Sequence, residues 1–128
     1  MEALPFDQIH HIDMHMKLID EQTMLVGAFP ENVSDGPQII ANMEFVLSNY
    51  TNKWGEPYNL VWIPMPSSTG GSFPDGTWGG ASYRTYTNSV FINNTVIVPT
   101  YREEFDTTAM AIYNEILLGY NVVGIDCD

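Results

Sequence analysis

A chain of 128 residues with 16 acidic side chains, four basic ones and a formal charge of −12 has the size of one domain able to bury roughly two thirds of its unfolded surface. That charge repels a phosphate backbone and argues against nucleic acid as a partner, while it is compatible with a cationic substrate or with a merely solvated acidic surface. Hydrophobic residues at 45% and aromatics at 12% exclude disorder, and no apolar run reaches the length of a membrane span, so no membrane partner is expected.

The lead-in MEALPFDQIH has no periodicity and lacks the basic and apolar regions of a secretion signal. The single cysteine, Cys127, cannot form an internal disulfide, and the expected setting is the cytoplasm. The sequons beginning at Asn32, Asn49 and Asn93 are then read as chance.

The stretch HHIDMHMKLIDEQTMLVG, His10 to Gly27, holds the densest cluster of titratable side chains. Read as a strand from His10 to Ile19, it places His11, Asp13, His15 and Lys17 on one face and Ile12, Met14, Met16 and Leu18 on the other. A histidine and a carboxylate two residues apart, about 6 to 7 Å along a strand, then reach the same small ligand. Asp20, Glu21 and Gln22 predict a turn, and Thr23 to Val26 a returning strand, so the stretch is a β-hairpin. PENVSDGP, Pro30 to Pro37, is a loop.

Ile39, Ile40, Met43, Val46 and Leu47 recur at helical spacing and the pattern fades near Tyr50, with Asp35 as candidate cap and Pro37 in the first turn. Tyr58 to Pro66 reads as a buried strand closed by prolines. Pro64 to Gly80 is too rich in Gly, Ser, Thr and Pro for regular structure, and a long loop punctuated by Phe73 and Trp78 suits a functional cover.

Ser89 to Pro99 is two β-rich runs around an Asn93-Asn94 turn. TTAMAIYNEILL is a helix whose buried face is Ala109, Ile112, Tyr113, Ile116 and Leu117, with Thr107 or Asp106 as cap, and YNVVGIDC is an apolar strand. The order strand, turn, strand, helix, strand therefore occurs twice, over about 10–66 and 85–127, joined by the loop of about 64–84 in a single domain over 1–128. Two such α/β repeats point to an array or propeller in which neighbouring units share a core. Arrays of this kind usually hold three or more units, so the missing neighbours are expected from a longer domain or from oligomerisation.

Histidine exchanges protons near neutral pH, and an adjacent carboxylate can hold a cation or orient the ring, although either residue on a strand can equally be a surface group. Read as metal chemistry, His11, Asp13 and His15 form an H-x-D-x-H row suited to zinc. A strand spreads these donors too far to converge, and a fourth donor is not evident, so neither metal nor cofactor is expected. Nothing cationic lies near Cys127 in the sequence, which reads as a packed small hydrophobe rather than a nucleophile.

HHIDMHMKLIDEQTMLVG and YRTYTNSVFINNTVIVPTY, followed by a helix and GYNVVGIDC, closely resemble the C-terminal part of the bacterial agmatine deiminase and Porphyromonas-type peptidylarginine deiminase family. The resemblance implies the pentein fold, a five-bladed α/β propeller with strand, strand, helix, strand blades. It implies a site in which a cysteine attacks the guanidinium carbon, a histidine shuttles protons and carboxylates bind the guanidinium nitrogens. It maps the histidine onto His11, a carboxylate onto Asp13 in H-I-D, and a substrate-pocket asparagine onto Asn88 in Y-T-N-S. The implied partner is a guanidino small molecule or an arginine side chain, whose planar charged fork suits a carboxylate. In the family the nucleophile lies in a Gly-rich H-C segment beyond the last strand matched. Cys127 is not that residue, so the chain alone is expected to be inactive, a partial pentein propeller needing another copy or a complementing chain.

Overall fold

Two copies of one unit make up the described residues, as turn chemistry and helical periodicity predict. The computed structural model describes residues 1–6, 11–76 and 83–128. The first unit comprises β1 (Met16–Leu18), β2 (Thr23–Ala28), α1 (Asp35–Asn49) and β3 (Asn59–Pro64). The second comprises β4 (Val90–Ile92), β5 (Thr95–Thr100), α2 (Glu103–Ile116) and β6 (Asn121–Asp126). In each unit the first two strands are antiparallel, the helix crosses over, and the last strand pairs parallel to the middle one.

The tight turns follow from side chains that hold the backbone locally. Asp20 Oδ1 accepts the amides of Gln22 at 2.7 Å and Thr23 at 2.8 Å, closing the first hairpin. The second hairpin turns at Asn93, whose φ of 52° lies in the left-handed region that asparagine tolerates.

Alternation along β2 splits the core in two. Met24 and Val26 pack with Leu4, Met16, Ile39, Met43 and Val46 beneath α1. Leu25 points the other way and joins Ile63, Tyr86, Val96, Val98, Ala109, Tyr113 and Leu117. Helix α2 therefore lies between the sheets, touching β3 as well as β5 and β6. Near the end of β2, a Cβ on Gly27 would stand 2.6 Å from Met65 Sδ, so only glycine leaves room for that buried methionine.

Several expectations are corrected. The strand from His10 to Ile19 is reduced to Met16–Leu18, preceded by a single 3₁₀ turn over Ile12–Met14, and His10 lies outside the described residues. Of the apolar set assigned to that strand, Met16 is buried but Ile12 and Leu18 are exposed, and they border an apolar cleft of about 380 Å³. Asp35 does not cap α1. It is fully buried inside the first turn, accepting the Phe6 amide at 3.2 Å and the Tyr83 hydroxyl, while Ser34 stands at the cap position without a side-chain bond.

In α1, Ile39, Met43 and Val46 are buried, whereas Ile40 and Leu47 are exposed. Helix α2 starts earlier than predicted, with Arg102 at its cap position. Asp106 reaches back to the Tyr101 amide at 3.0 Å, and Thr107 bonds the Glu103 carbonyl instead of capping. Strand β3 is an edge strand in which only Ile63 is fully buried, and β6 is largely exposed. The described part of the long loop, 65–76, contains no helix or strand. Phe73 packs edge-on against Phe29 at 5.8 Å, and Trp78 lies outside the described residues. No helix among the described residues is long and apolar enough to cross a membrane.

Candidate functional site

The H-I-D stretch leaves the hairpin before β2 ends at Ala28. The last hairpin bond is from the Gly27 amide to the His15 carbonyl at 2.8 Å. Upstream of it the backbone closes on itself, with the Met14 amide on the His11 carbonyl at 3.1 Å and the His15 amide on the Ile12 carbonyl at 3.2 Å. His11 stands at the entrance to this turn with an extended backbone and is exposed, Asp13 is half-buried, and His15 is buried. At three residues per turn, a spacing of two no longer shares a face, so the four polar side chains do not form the predicted row.

The second motif meets this turn directly. Thr87 Oγ1 donates to the Asp13 carbonyl at 2.7 Å, and Lys17 Nζ donates to the Ser89 carbonyl at 2.5 Å while lying 5.7 Å from the Phe91 ring centre. Asn88, between those contacts, is exposed. His11 and Asp13 on one segment and Asn88 on the other are thus carried by backbones pinned together.

Helix α2 holds the second segment from behind. The buried Tyr113 hydroxyl donates to the Tyr86 carbonyl at 2.7 Å and lies 2.9 Å from the Ser89 hydroxyl. The Tyr86 hydroxyl donates to Asp106 Oδ1 at 2.7 Å, and the Thr85 and Thr87 hydroxyls bond at 2.7 Å. Burial pushes the Tyr113 phenol up to about 12. Burial, reinforced by the Asp106 carboxylate, raises Tyr86, and burial raises Tyr101. Burial also lowers the Lys17 ammonium, an effect partly offset by the nearby Asp13 carboxylate.

Among the described residues no three His, Cys, Asp or Glu side chains are placed to hold a metal ion. His15 is buried and His11 exposed, so the side chains of the H-x-D-x-H row lie in different surroundings. Cys127 is exposed beyond β6, contrary to the packed position expected, with its Sγ 3.3 Å from the Ile125 carbonyl. Sequence reasoning missed Thr87, Tyr86, Tyr113 and Asp106 as the residues that hold the site segments. Their one local signal is the density of hydroxyls in T-Y-T-N-S directly before a strand.

A strand-strand-helix-strand unit occurring twice, with one helix shared between the sheets, is α/β propeller architecture of the pentein kind. The family model for Porphyromonas-type peptidyl-arginine deiminase matches residues 6–128, and the chain belongs to that family. A structure from Porphyromonas gingivalis described as a candidate arginine deiminase is 29% identical with a TM-score of 0.73, the match covering 91% of this chain and 33% of that one. A Cys-to-Ser variant of C. jejuni agmatine deiminase with substrate bound is 24% identical with a TM-score of 0.68, covering 98% and 34%. Agmatine deiminase of Enterococcus faecalis is 17% identical with a TM-score of 0.69, covering 91% and 35%, and like the previous one shows the shared fold. The chain thus spans about a third of these structures. No curated protein matches.

Proposed function

We propose that this chain carries the proton-shuttling and carboxylate side of a guanidine deiminase site. In this reading Asp13 pairs with the guanidinium fork, Asn88 offers a neutral hydrogen-bonding contact beside it, and His11 moves protons. The reaction class converts a guanidinium and water into a ureido group and ammonium. A thiolate adds to the guanidinium carbon, histidine delivers a proton to the departing ammonia, and water then displaces sulfur. His11 fits the proton-transfer role. Cys127, exposed after β6, does not stand in the Gly-rich H-C setting of the family nucleophile, so attack needs a cysteine from further polypeptide.

The observation supporting this reading is the Thr87 bond to the Asp13 carbonyl, which draws the H-I-D and T-N-S motifs together. We read residues 1–128 as one partial propeller domain, completed by further polypeptide of the same chain, by another copy or by a complementing chain. Agmatine or peptidyl-arginine as substrate, a cytoplasmic setting and a link to putrescine synthesis belong to the same proposal. A second reading, a non-catalytic pentein module that binds by association, is favoured by the exposed apolar side chains of β4 and β6.

Calorimetry with agmatine and an arginyl peptide is the test. Weak binding by the wild-type chain, reduced tenfold or more in Asp13→Asn, with no ammonia released by the pure chain, is expected. Affinity unchanged in Asp13→Asn and in Asn88→Ala would overturn the site assignment.

A further inference from the structure

Strand β1 sends one side chain toward the second unit. Lys17 pairs with Leu25 across the hairpin, and antiparallel partners point to the same side of a sheet. Lys17 therefore lies on the face that Leu25 buries against Tyr86, Val96 and Tyr113, while Met16 and Leu18 alternate to the other side. From this face the lysine stem runs past the Phe91 ring, 5.7 Å from its centre, and the ammonium donates to the Ser89 carbonyl at 2.5 Å.

A second bond runs the opposite way. Thr87 donates its hydroxyl to the Asp13 carbonyl at 2.7 Å. Each segment thus gives one side-chain donor to the backbone of the other, and the two bonds reach the second segment at the residues on either side of Asn88. Thr87 and Ser89 are both buried, and the Ser89 hydroxyl lies 2.9 Å from that of Tyr113. One tether would let Asn88 swing about Thr87, whereas two fix its backbone at both ends.

An ammonium is unfavourable at a half-buried position, because desolvation opposes its charge. Methionine would fill the same space beside Phe91 without that penalty. What the lysine adds is a charged donor able to cross to the Ser89 carbonyl, a bond stronger than one between neutral groups. The Asp13 carboxylate acts on the same ammonium electrostatically, so the lysine and a guanidinium held by Asp13 repel each other. The charge of Lys17 disfavours a bound cation, and its bond favours the geometry that binds one.

We propose that Lys17 is a positioning residue of the guanidinium site, fixing Asn88 against the H-I-D turn through the Ser89 carbonyl. The inference rests on the proposed roles of Asp13 and Asn88, and it requires the bond to outweigh the charge.

The wild-type chain, Lys17→Met and Lys17→Arg are compared by calorimetry with agmatine, by thermal unfolding and by amide hydrogen exchange over 85–92. Lys17→Met keeps the stem, and its agmatine affinity is expected to fall about tenfold with the loss of one charged donor. Its melting temperature is expected to change little, since the lost bond and the relieved desolvation offset each other. Exchange around Asn88 is expected to quicken. Lys17→Arg keeps both donor and charge and is expected to recover most of the affinity and the slow exchange.

Affinity unchanged or tighter in Lys17→Met overturns the proposal, because the charge then outweighs the bond. Unaltered exchange overturns it as well, and so does a fall in affinity that accompanies a general loss of stability and is not reversed in Lys17→Arg. A chain that binds no agmatine, or whose affinity is the same in Asp13→Asn, removes the guanidine reading instead, and the exchange rates alone then decide whether Lys17 holds Asn88 in place.

Discussion

Thr87 and Asp13, 74 residues apart, are joined by a 2.7 Å bond from the threonine hydroxyl to the aspartate backbone carbonyl. The bond leaves the Asp13 carboxylate out of the backbone contact, and it sets Asn88 next to the turn that carries H-I-D. Thr87→Val keeps the shape but strips a partly buried carbonyl of its donor and removes the bond to Thr85. A loss of about 1 to 3 kcal/mol is expected. Urea unfolding with an unchanged slope and faster amide exchange across 12–15 are the measurements.

Tyr113 makes stability sensitive to alkali. Its phenol ionises near 10 in the unfolded chain but only at about 12 in the folded one, so above pH 10 the unfolded state releases its proton first. The stabilisation is complete below about 10 and is lost as pH rises toward 12, roughly 2 to 3 kcal/mol in all. Tyr86 and Tyr101, both raised, act in the same direction. Lys17, lowered by burial, acts oppositely, since its charge is easier to carry unfolded and stability rises with pH up to 10.5. Above 10.5 the lysine effect is complete, and the tyrosines alone make stability fall. Tyr113→Phe is expected to be less stable at neutral pH and to fall less steeply above pH 10 in chemical denaturation.

Gly27 tests packing without backbone strain. Its Cβ in Gly27→Ala would stand 2.6 Å from Met65 Sδ and 3.0 Å from Met65 Cγ, and the buried methionine has little room to retreat. A destabilisation of about 1 to 3 kcal/mol is expected. Met65→Val in the same chain is expected to recover part of it, and a double-mutant cycle with equal and additive losses would refute the contact.

Asp106 replaces the cap that the helix lacks at Arg102. Its carboxylate accepts the Tyr101 amide through both oxygens, at 3.0 and 3.2 Å, and the Tyr86 hydroxyl at 2.7 Å. Asp106→Ala is expected to cost about 2 kcal/mol, read in thermal unfolding, with Asp106→Asn losing less because one acceptor oxygen remains.

Local chemistry carried most of the architecture. Asp20 and Asn93 write the hairpin turns within a few residues of themselves, and Ile39, Met43 and Val46, or Ala109, Tyr113 and Leu117, declare their buried faces by spacing alone. The resemblance to the deiminases rested on contiguous motifs and pointed to the family that matches residues 6–128.

The alternating pattern around H-I-D failed for a reason outside its own residues. The pairing stops at the His15 carbonyl although β2 runs on to Ala28, and the segment upstream is a 3₁₀ turn whose Asp13 carbonyl is held by Thr87, 74 residues away. Burial of Asp35 depends likewise on Phe6 and Tyr83.

From the sequence by itself came the repeated unit, the helix faces and the hairpins, because each is written in side chains a few positions apart. Only the tertiary structure decided that H-I-D is a turn, that Thr87 and Tyr113 hold the second motif against it, and that the second sheet is left half uncovered. Those outcomes turn on hydrogen bonds and packing between segments dozens of residues apart, which no local periodicity encodes.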